Sequence, residues 1–476
     1  MESAATPAGT GTAPAGPSDP AGLVEDSLAA VVGAAHVRSG RSAGEDYEHD
    51  EGLTTVRVRP LAVACPRTTE EVADIVRWAR RERVPLVARG SATGLSGGAA
   101  PVEGSVVVSF ERMRDVLEVD EADLYAVVQP GVTLRELDEV LAPRGLLYPV
   151  YPGEQSASVG GNVATNAGGM RAVRYGVTRH HVLGLEVVLG TGEVLRTGGK
   201  VVKCSTGYDL TQLVVGSEGT LALVTEVTVK LQPRLGASAT LLAPFETLRA
   251  VTAAVPALVR SGLAPAILEY LDALTFQATT AAVGLDAGVA PATAERALAY
   301  LLVVVEQTSP QRLEEDVGAL ASMLAELGAL DVYVLPPGAG ARLVEARERA
   351  FYTAKAAGAH DIVDVVVPRS RIHDLLEAAS ARAAEHGALL VGCAHAGDGN
   401  VHLSVFQPDA PRREALLGAL FREGLALGGA ISGEHGIGTA KRRWFLELED
   451  PVRLDLLRRL KAVFDPDGIL NPGKLL

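Results

Sequence analysis

Residues 156–170 read SASVGGNVATNAGGM, a run without a charged side chain that carries two glycine pairs and two asparagines. Backbone so rich in glycine either turns sharply or lets a ligand approach closely. Asparagine amides offer donors and acceptors together, which suits the edge of an uncharged ring system. A polar loop that satisfies itself is the alternative reading, and the ligand reading is preferred. Upstream, Leu86–Ala88 reads as a strand running into RGSATGLSGG at 89–98. Such a loop can aim successive N–H groups at a diphosphate, or it is a flexible glycine turn. Downstream, the apolar runs LGLEVVL and VTEVTVKL flank YDLTQLVVGSEGTL. Thr68 with Glu71, and Thr133 with Glu136, are spaced as capping boxes opening amphipathic helices. Residues 23–235 are thus predicted as one mixed α/β unit.

From Ser238 the pattern changes. ATLLAPF, ILEYLD, YLLVVVEQ and VYVLP read as strands separated by helical stretches, the order of a ferredoxin-like sheet with helices on one face. An alanine-rich connector is expected over 275–295 and further helices near 341–357 and 371–386. ALLVGCAHAGDGNVHLSVF then reads as a hairpin. This second unit is placed at 236–425. Residues 426–476 form a C-terminal helical segment broken by SGEHGIG. Residues 1–22, rich in Ala, Pro, Gly and Thr, bury too little surface to offset conformational entropy and are expected as a disordered tail.

Several functions are excluded. A net charge of −14 and 4% aromatics oppose a nucleic-acid grip. No apolar run approaches the ~20 residues of a membrane span, and the N-terminus lacks the basic and apolar regions of a signal peptide. A cytoplasmic protein is expected. Cys65, Cys204 and Cys393 are the three cysteines and no C-x-x-C occurs, which argues against a disulfide framework or a four-cysteine cluster within the sequence. G-x-x-x-x-G-K-[ST] and G-x-G-x-x-G are both missing, so P-loop and Rossmann phosphate turns are not indicated.

His395 and His402 flank the turn GDGN on consecutive strands of the expected hairpin, where two imidazoles can converge on one cation. SGEHGIG adds Glu434 as an oxygen ligand. Two histidines and a carboxylate suit zinc, manganese or iron(II). A lone histidine is more often structural, but two at a glycine turn favour the metal reading. His435, adjacent to Glu434 in sequence, projects the other way and fits a general base better than a ligand. Arg347, in EARERAF, offers a carboxylate fork or lies on a solvated helix face. Cys393, two residues before His395, offers a further ligand, but a small buried residue is the preferred reading.

These motifs together resemble the FAD-linked oxidases of the vanillyl-alcohol-oxidase superfamily, from about residue 45 to the end. The first unit carries the likeness in RGSATGLSGG, VGGNVATNAGGMRAVRYG and STGYDLTQLVVGSEGTLALVTEV, and the second in HAGDGNVH, SGEHGIGTAKR and FDPDGILNPGKLL. The likeness is first to D-lactate dehydrogenases and the FAD subunit of glycolate oxidase, and then to D-2-hydroxyglutarate dehydrogenase. The resemblance implies an α+β fold: a two-subdomain PCMH-type FAD-binding domain, a ferredoxin-like cap and the C-terminal segment returning to the FAD. It implies that Arg89, Gly90, Ser91, Ala92, Thr93 and Gly94 wrap the FAD diphosphate. Ser158, Gly161, Asn162, Asn166, Gly168 and Gly169 would line the flavin, with Glu218, Gly219 and Asn471 closing the pocket. His395, His402 and Glu434 match the family's metal ligands, His435 its catalytic histidine, and Arg347 the arginine that pairs with the substrate carboxylate.

The implied reaction is oxidation of a D-2-hydroxy acid to the 2-oxo acid. The metal lowers the hydroxyl pKa, His435 takes the proton, and a hydride goes to flavin N5. An external acceptor must re-oxidise the flavin: a quinone, a cytochrome, an electron-transfer flavoprotein or an iron–sulfur subunit. The last would make the protein one part of a glycolate-oxidase-like complex. Peripheral membrane association through that partner and a homodimer are both compatible with the resemblance. Ile362 and Phe351 stand where hydroxyglutarate enzymes carry substrate-binding lysine and threonine, which favours a short monocarboxylate such as D-lactate or glycolate. Lys355 keeps a dicarboxylate open. A non-redox relation to alkylglycerone-phosphate synthase is the more distant alternative, opposed by the intact histidine cluster.

Overall fold

The computed structural model describes residues 20–40 and 42–476. The expected tail lies outside the described residues up to position 19, and its last three positions instead open the helix Pro20–Val32, with proline at the first helical turn where its missing N–H is harmless. The first layer is a four-stranded sheet in the order Val37–Ser39, Ala62–Ala64, Val106–Ser109, Leu86–Arg89. Its last three strands run parallel and are almost wholly apolar, as strands covered on both faces must be. The helix Thr69–Glu82 packs on it, with Thr68 Oγ1 accepting the Glu71 N–H. Glu71 reaches back to the Arg67 N–H, not to that of Thr68, so half of the expected capping box forms. At Thr133 and Glu136 both halves are present.

A second, antiparallel sheet of five strands is ordered Val116–Asp120, Tyr125–Val128, Ala222–Lys230, Val182–Leu189, Val194–Gly198. The C-terminus returns to the first sheet: Leu470 bridges Leu86, and the Asn471 N–H donates to the Leu86 carbonyl at 2.7 Å.

The third sheet has seven strands, ordered Tyr333–Leu335, Ala237–Phe245, Ala299–Gln307, Ile267–Asp272, Leu389–His395, Asn400–Phe406, Asp361–Val366. The first four give the ferredoxin-like order that the sequence predicts, and the hairpin with Asp361–Val366 extends it. One face, through Leu241, Ala243 and Phe245, packs on helices that contribute Val251, Leu320, Leu375 and Leu416. The expectation of helices on a single face needs correction. Leu242, Tyr300 and Leu271 on the other face meet Phe276 and Leu343, from the helices Ala273–Ala282 and Pro337–Glu348. The expected 275–295 connector thus holds two helices, Ala273–Ala282 and Pro291–Arg296, and the Asp272 carboxylate caps the first by accepting the Thr275 N–H. Likewise 341–357 is divided into Pro337–Glu348 and Ala350–Ala356. This second helical layer turns an open sheet face into a cleft. Among the described residues, no helix is long and apolar enough to cross a membrane.

Candidate active site

The hairpin register pairs Cys393 with His402 and His395 with Asn400. Directly paired residues share a face, so His395 and His402 project together, with ring centres 4.9 Å apart. Glu434 enters from the loop after the helix Ala410–Ala426. Its Oε1 lies 3.0 Å from His395 Nε2 and 3.2 Å from His402 Nε2. Behind His395, Glu269 Oε1 is 2.7 Å from Nδ1, while Glu269 Oε2 lies 2.7 Å from Arg347 Nη2. Glu269 is fully buried and belongs to none of the motifs read from the sequence. Its signal is a carboxylate in the middle of the apolar strand ILEYLD, where a buried charge needs a partner.

Burial opposes charge on His395, but the carboxylates of Glu269 and Glu434 outweigh it and push the imidazole up to about 10. Burial likewise raises Glu434, yet His395 holds its carboxyl well below the usual range. The fixed cations here are taken: Arg347 by Glu269 and Lys441 by Asp364. The close side-chain partners of Glu434 are the His395 and His402 imidazoles. The three donor atoms of His395, His402 and Glu434 lie within 4.8 Å of one another. Two imidazoles, one carboxylate and a carboxylate orienting one imidazole from behind form a donor set that fits a divalent cation. Cys393 stands outside it, its thiol pushed up to about 11 by burial.

The loop carrying Glu434 and His435 is clamped from both sides. Asp364, with no exposed surface, accepts the Gly433 and His435 N–H groups at 3.2 and 2.9 Å. It also accepts from Asn400 Nδ2, Ser432 Oγ and Lys441 Nζ at 2.8, 2.7 and 3.0 Å. From the opposite side, Glu218 accepts the Ile437 and Gly438 N–H groups, both at 2.7 Å. His435 stacks on His402 at 5.0 Å, and burial pushes it down to about 4, which leaves a neutral ring able to accept a proton.

His435 stands at the junction of two cavities. One, of about 1030 Å³, is lined by Gly90–Gly94, Ser158, Gly161, Asn162, Glu218, Gly219 and Asn471. A Cβ at Gly94 or Gly98 would meet a single atom within 4 Å, at 3.8 and 4.0 Å, so these glycines open the space instead of filling a contact. Asn162 Nδ2 is buried in its wall without a partner, a donor left for a ligand acceptor. Ala92 holds φ +54° in the loop, a strained backbone of the kind found at ligand clamps. An elongated cofactor with amide-bonding edges fits this cavity. Gly168 lines a smaller space of about 680 Å³ leading from it to Glu434 and His435.

Three residues expected at the cofactor turn elsewhere. Arg89 donates to the carbonyls of His49 and Asp46 and lies over the Tyr47 ring, because its strand ends before the loop turns into the cavity. Asn166 ends the helix Val159–Thr165 in a left-handed conformation at φ +52°, and its Oδ1 accepts the Arg179 N–H. Gly169 has φ +122° and a Cβ there would sit 1.8 Å from the Tyr151 carbonyl, so it serves backbone packing. Asn471 lines the cavity, but its Nδ2 ties the carbonyls of Gly98 and Glu218.

The second cavity, of about 1450 Å³, opens from His395, His402, Glu434, His435 and Arg347 across the cap sheet. Arg347, 6% exposed, is no solvated helix residue. Its Nε is buried without a hydrogen-bond partner.

Residues 235–475 match the FAD linked oxidases, C-terminal domain, and residues 60–198 match an FAD binding domain. An uncharacterised FAD-linked oxidoreductase of Mycobacterium tuberculosis is 55% identical over 443 residues, 93% of this chain and 96% of that protein. The D-lactate dehydrogenase of Anaerostipes hadrus is 37% identical over 92% of this chain and 94% of its own. Among solved structures, p-cresol methylhydroxylase with substrate bound superposes with a TM-score of 0.79 at 17% identity, covering 95% of this chain and 96% of that one. A glycine-lined cavity beside a cap sheet that carries the histidine cluster, with matches to both domains, places this protein in the FAD-linked oxidases of the vanillyl-alcohol-oxidase superfamily, as an FAD-linked oxidoreductase.

Proposed function

We propose that the protein is a dehydrogenase that oxidises a D-2-hydroxy monocarboxylate to the 2-oxo acid. The observation that carries this reading is the position of His435, which lines the cofactor cavity and the cleft of the histidine cluster at once. Bound FAD supplies the acceptor for the hydrogen and electron pair leaving Cα. A divalent cation at His395, His402 and Glu434 supplies positive charge beside the substrate oxygens. The protein's own groups do the rest. Arg347, held at Nη2 by Glu269, keeps Nε for the carboxylate and so fixes which end of the acid faces inward. His435 accepts the hydroxyl proton. Asp364 and Glu218 hold its loop from two sides, so the base is aimed before substrate arrives. The D hand is supported by the likeness to D-lactate dehydrogenase. A dicarboxylate is opposed because Lys355 is taken by Glu51 at 2.7 Å. Re-oxidation calls on an external acceptor, since the three cysteines are scattered along the sequence.

The test is the visible spectrum of the purified flavoprotein, titrated without oxygen. D-Lactate at saturating concentration bleaches the flavin band and L-lactate does not. A flavin left oxidised by every D-2-hydroxy monocarboxylate overturns the reading. A second expected result concerns Glu269. Glu269→Gln keeps the volume but removes the charge behind His395, and zinc or manganese affinity, followed by equilibrium dialysis, falls about 10- to 100-fold. An unchanged affinity removes Glu269 from the cation site and leaves it only as the partner of Arg347.

A further inference from the structure

We propose that the preferred substrate carries a long apolar tail, so that it is a D-2-hydroxy alkanoate of about six to eight carbons, whose chain reaches past the His402 row onto the apolar rows, and not D-lactate; this rests on the hydroxy-acid reading above and names its substrate class. The hairpin register lays the cleft floor out in rows. His402 pairs with Asp364 and Cys393, Ser404 pairs with Ile362 and Val391, and Phe406 pairs with Leu389. Phe406 lies four residues beyond His402, about 13 Å along a strand at roughly 3.3 Å per residue. The floor therefore passes from cation ligands, through Ser404 between Ile362 and Val391, to Phe406 and Leu389 within one strand length. Phe351 and Ala354 of the helix Ala350–Ala356 wall the same cleft, while Leu389 and Leu274 stand half exposed at its mouth, at 52% and 57%.

Charge is confined to the inner end. The ionisable groups that line the cleft beside the thiol of Cys393 are Arg347, Glu348, His395, His402, Glu434 and His435, and Glu348 is bound by the Tyr151 hydroxyl. Beyond the His402 row no lining residue is charged. A three-carbon acid whose carboxylate meets Arg347 leaves the apolar rows uncovered and wet. An alkyl tail running over Ile362 and Val391 toward Phe406 removes those side chains and its own methylenes from water. A distal carboxylate laid on the same rows is stripped of water, and Lys355, beside the Phe351 ring, is already paired with Glu51.

The experiment is anaerobic flavin reduction in the wild-type holoenzyme with D-lactate, D-2-hydroxyhexanoate, D-2-hydroxyoctanoate and D-2-hydroxyglutarate. Each methylene covered lowers the half-saturating concentration up to about fourfold, the equivalent of about 0.8 kcal/mol. 2-Hydroxyoctanoate is expected to saturate at least about 30-fold below lactate, and 2-hydroxyglutarate above lactate. Binding without turnover gives an independent readout: 2-oxooctanoate perturbs the flavin spectrum at lower concentration than pyruvate. In Ala354→Trp the advantage of octanoate over lactate shrinks at least about tenfold. Equal half-saturation for octanoate and lactate, or preference for hydroxyglutarate, overturns the inference and leaves the hydroxy-acid reading standing. No reduction by any of the four acids overturns both.

Discussion

His435→Gln lowers the rate of substrate-driven flavin reduction by about 10²- to 10⁴-fold, the usual contribution of a positioned proton acceptor, and leaves FAD bound. The expectation follows from where the ring sits. It is stacked 5.0 Å from His402, and its own Nδ1 is buried with no hydrogen-bond partner. It lines the cofactor cavity and the substrate cleft together. Glutamine keeps much of the volume and a hydrogen-bonding end but cannot take a proton. The Asp364 and Glu218 clamps act on backbone N–H groups, which the substitution does not alter, so the loop stays in place. The measurement is single-turnover reduction, with flavin content and melting temperature as controls. Binding of an unreactive 2-oxo acid should change less than about threefold, because the carboxylate contact belongs to Arg347. A variant that reduces its flavin within tenfold of wild type assigns the proton to another group.

How much of this is legible in the sequence depends on the range of each interaction. The Thr133–Glu136 box spans three residues and forms as read, because a cap is decided locally. The hairpin at GDGN is equally local: Gly399 takes φ +81° in the turn, and alternation then aligns both histidines. The helix Ala273–Ala282 escapes a sequence reading for a different reason. Its alanines give no apolar stripe to detect, although alanine is the best helix former, and its burial against the sheet is set by Phe276 and Tyr300. Glu269 lies 126 residues from His395, and no periodic pattern reports a pairing at that distance. Asn166, Gly169 and Arg89 show the converse. They sit in or beside the glycine runs that form the cavity, but a positive φ, a close backbone approach or a neighbouring loop uses them up. Composition marks the segment that builds a site more readily than it marks which members face the ligand.

Asp364 carries the second large effect. It is wholly buried among donors, with Lys441 Nζ at 3.0 Å, Asn400 Nδ2 at 2.8 Å and the His435 N–H at 2.9 Å. Removing one partner of such a pair leaves an uncompensated charge and costs about 3–5 kcal/mol. Asp364→Asn puts an NH₂ where one oxygen accepted, facing N–H groups and an ammonium that can only donate. Lys441→Met strands the carboxylate instead. Each single variant is expected to lose about 3–5 kcal/mol of local stability, whereas the double variant loses less than their sum by about 0.5–3 kcal/mol, as coupled neighbours do. Hydrogen exchange at the Gly433 and His435 amides reads this directly. A loss of about 3 kcal/mol speeds their exchange by about 10²-fold, since about 1.4 kcal/mol is tenfold at room temperature. The Ile437 and Gly438 amides, held by Glu218 at 2.7 Å, should lose protection less. Additive effects in the double variant would separate Asp364 from Lys441 energetically and leave the Glu218 contacts as the main hold on the loop. Coupled effects, with a fall in flavin reduction parallel to the lost protection, make the buried pair the support on which His435 is aimed.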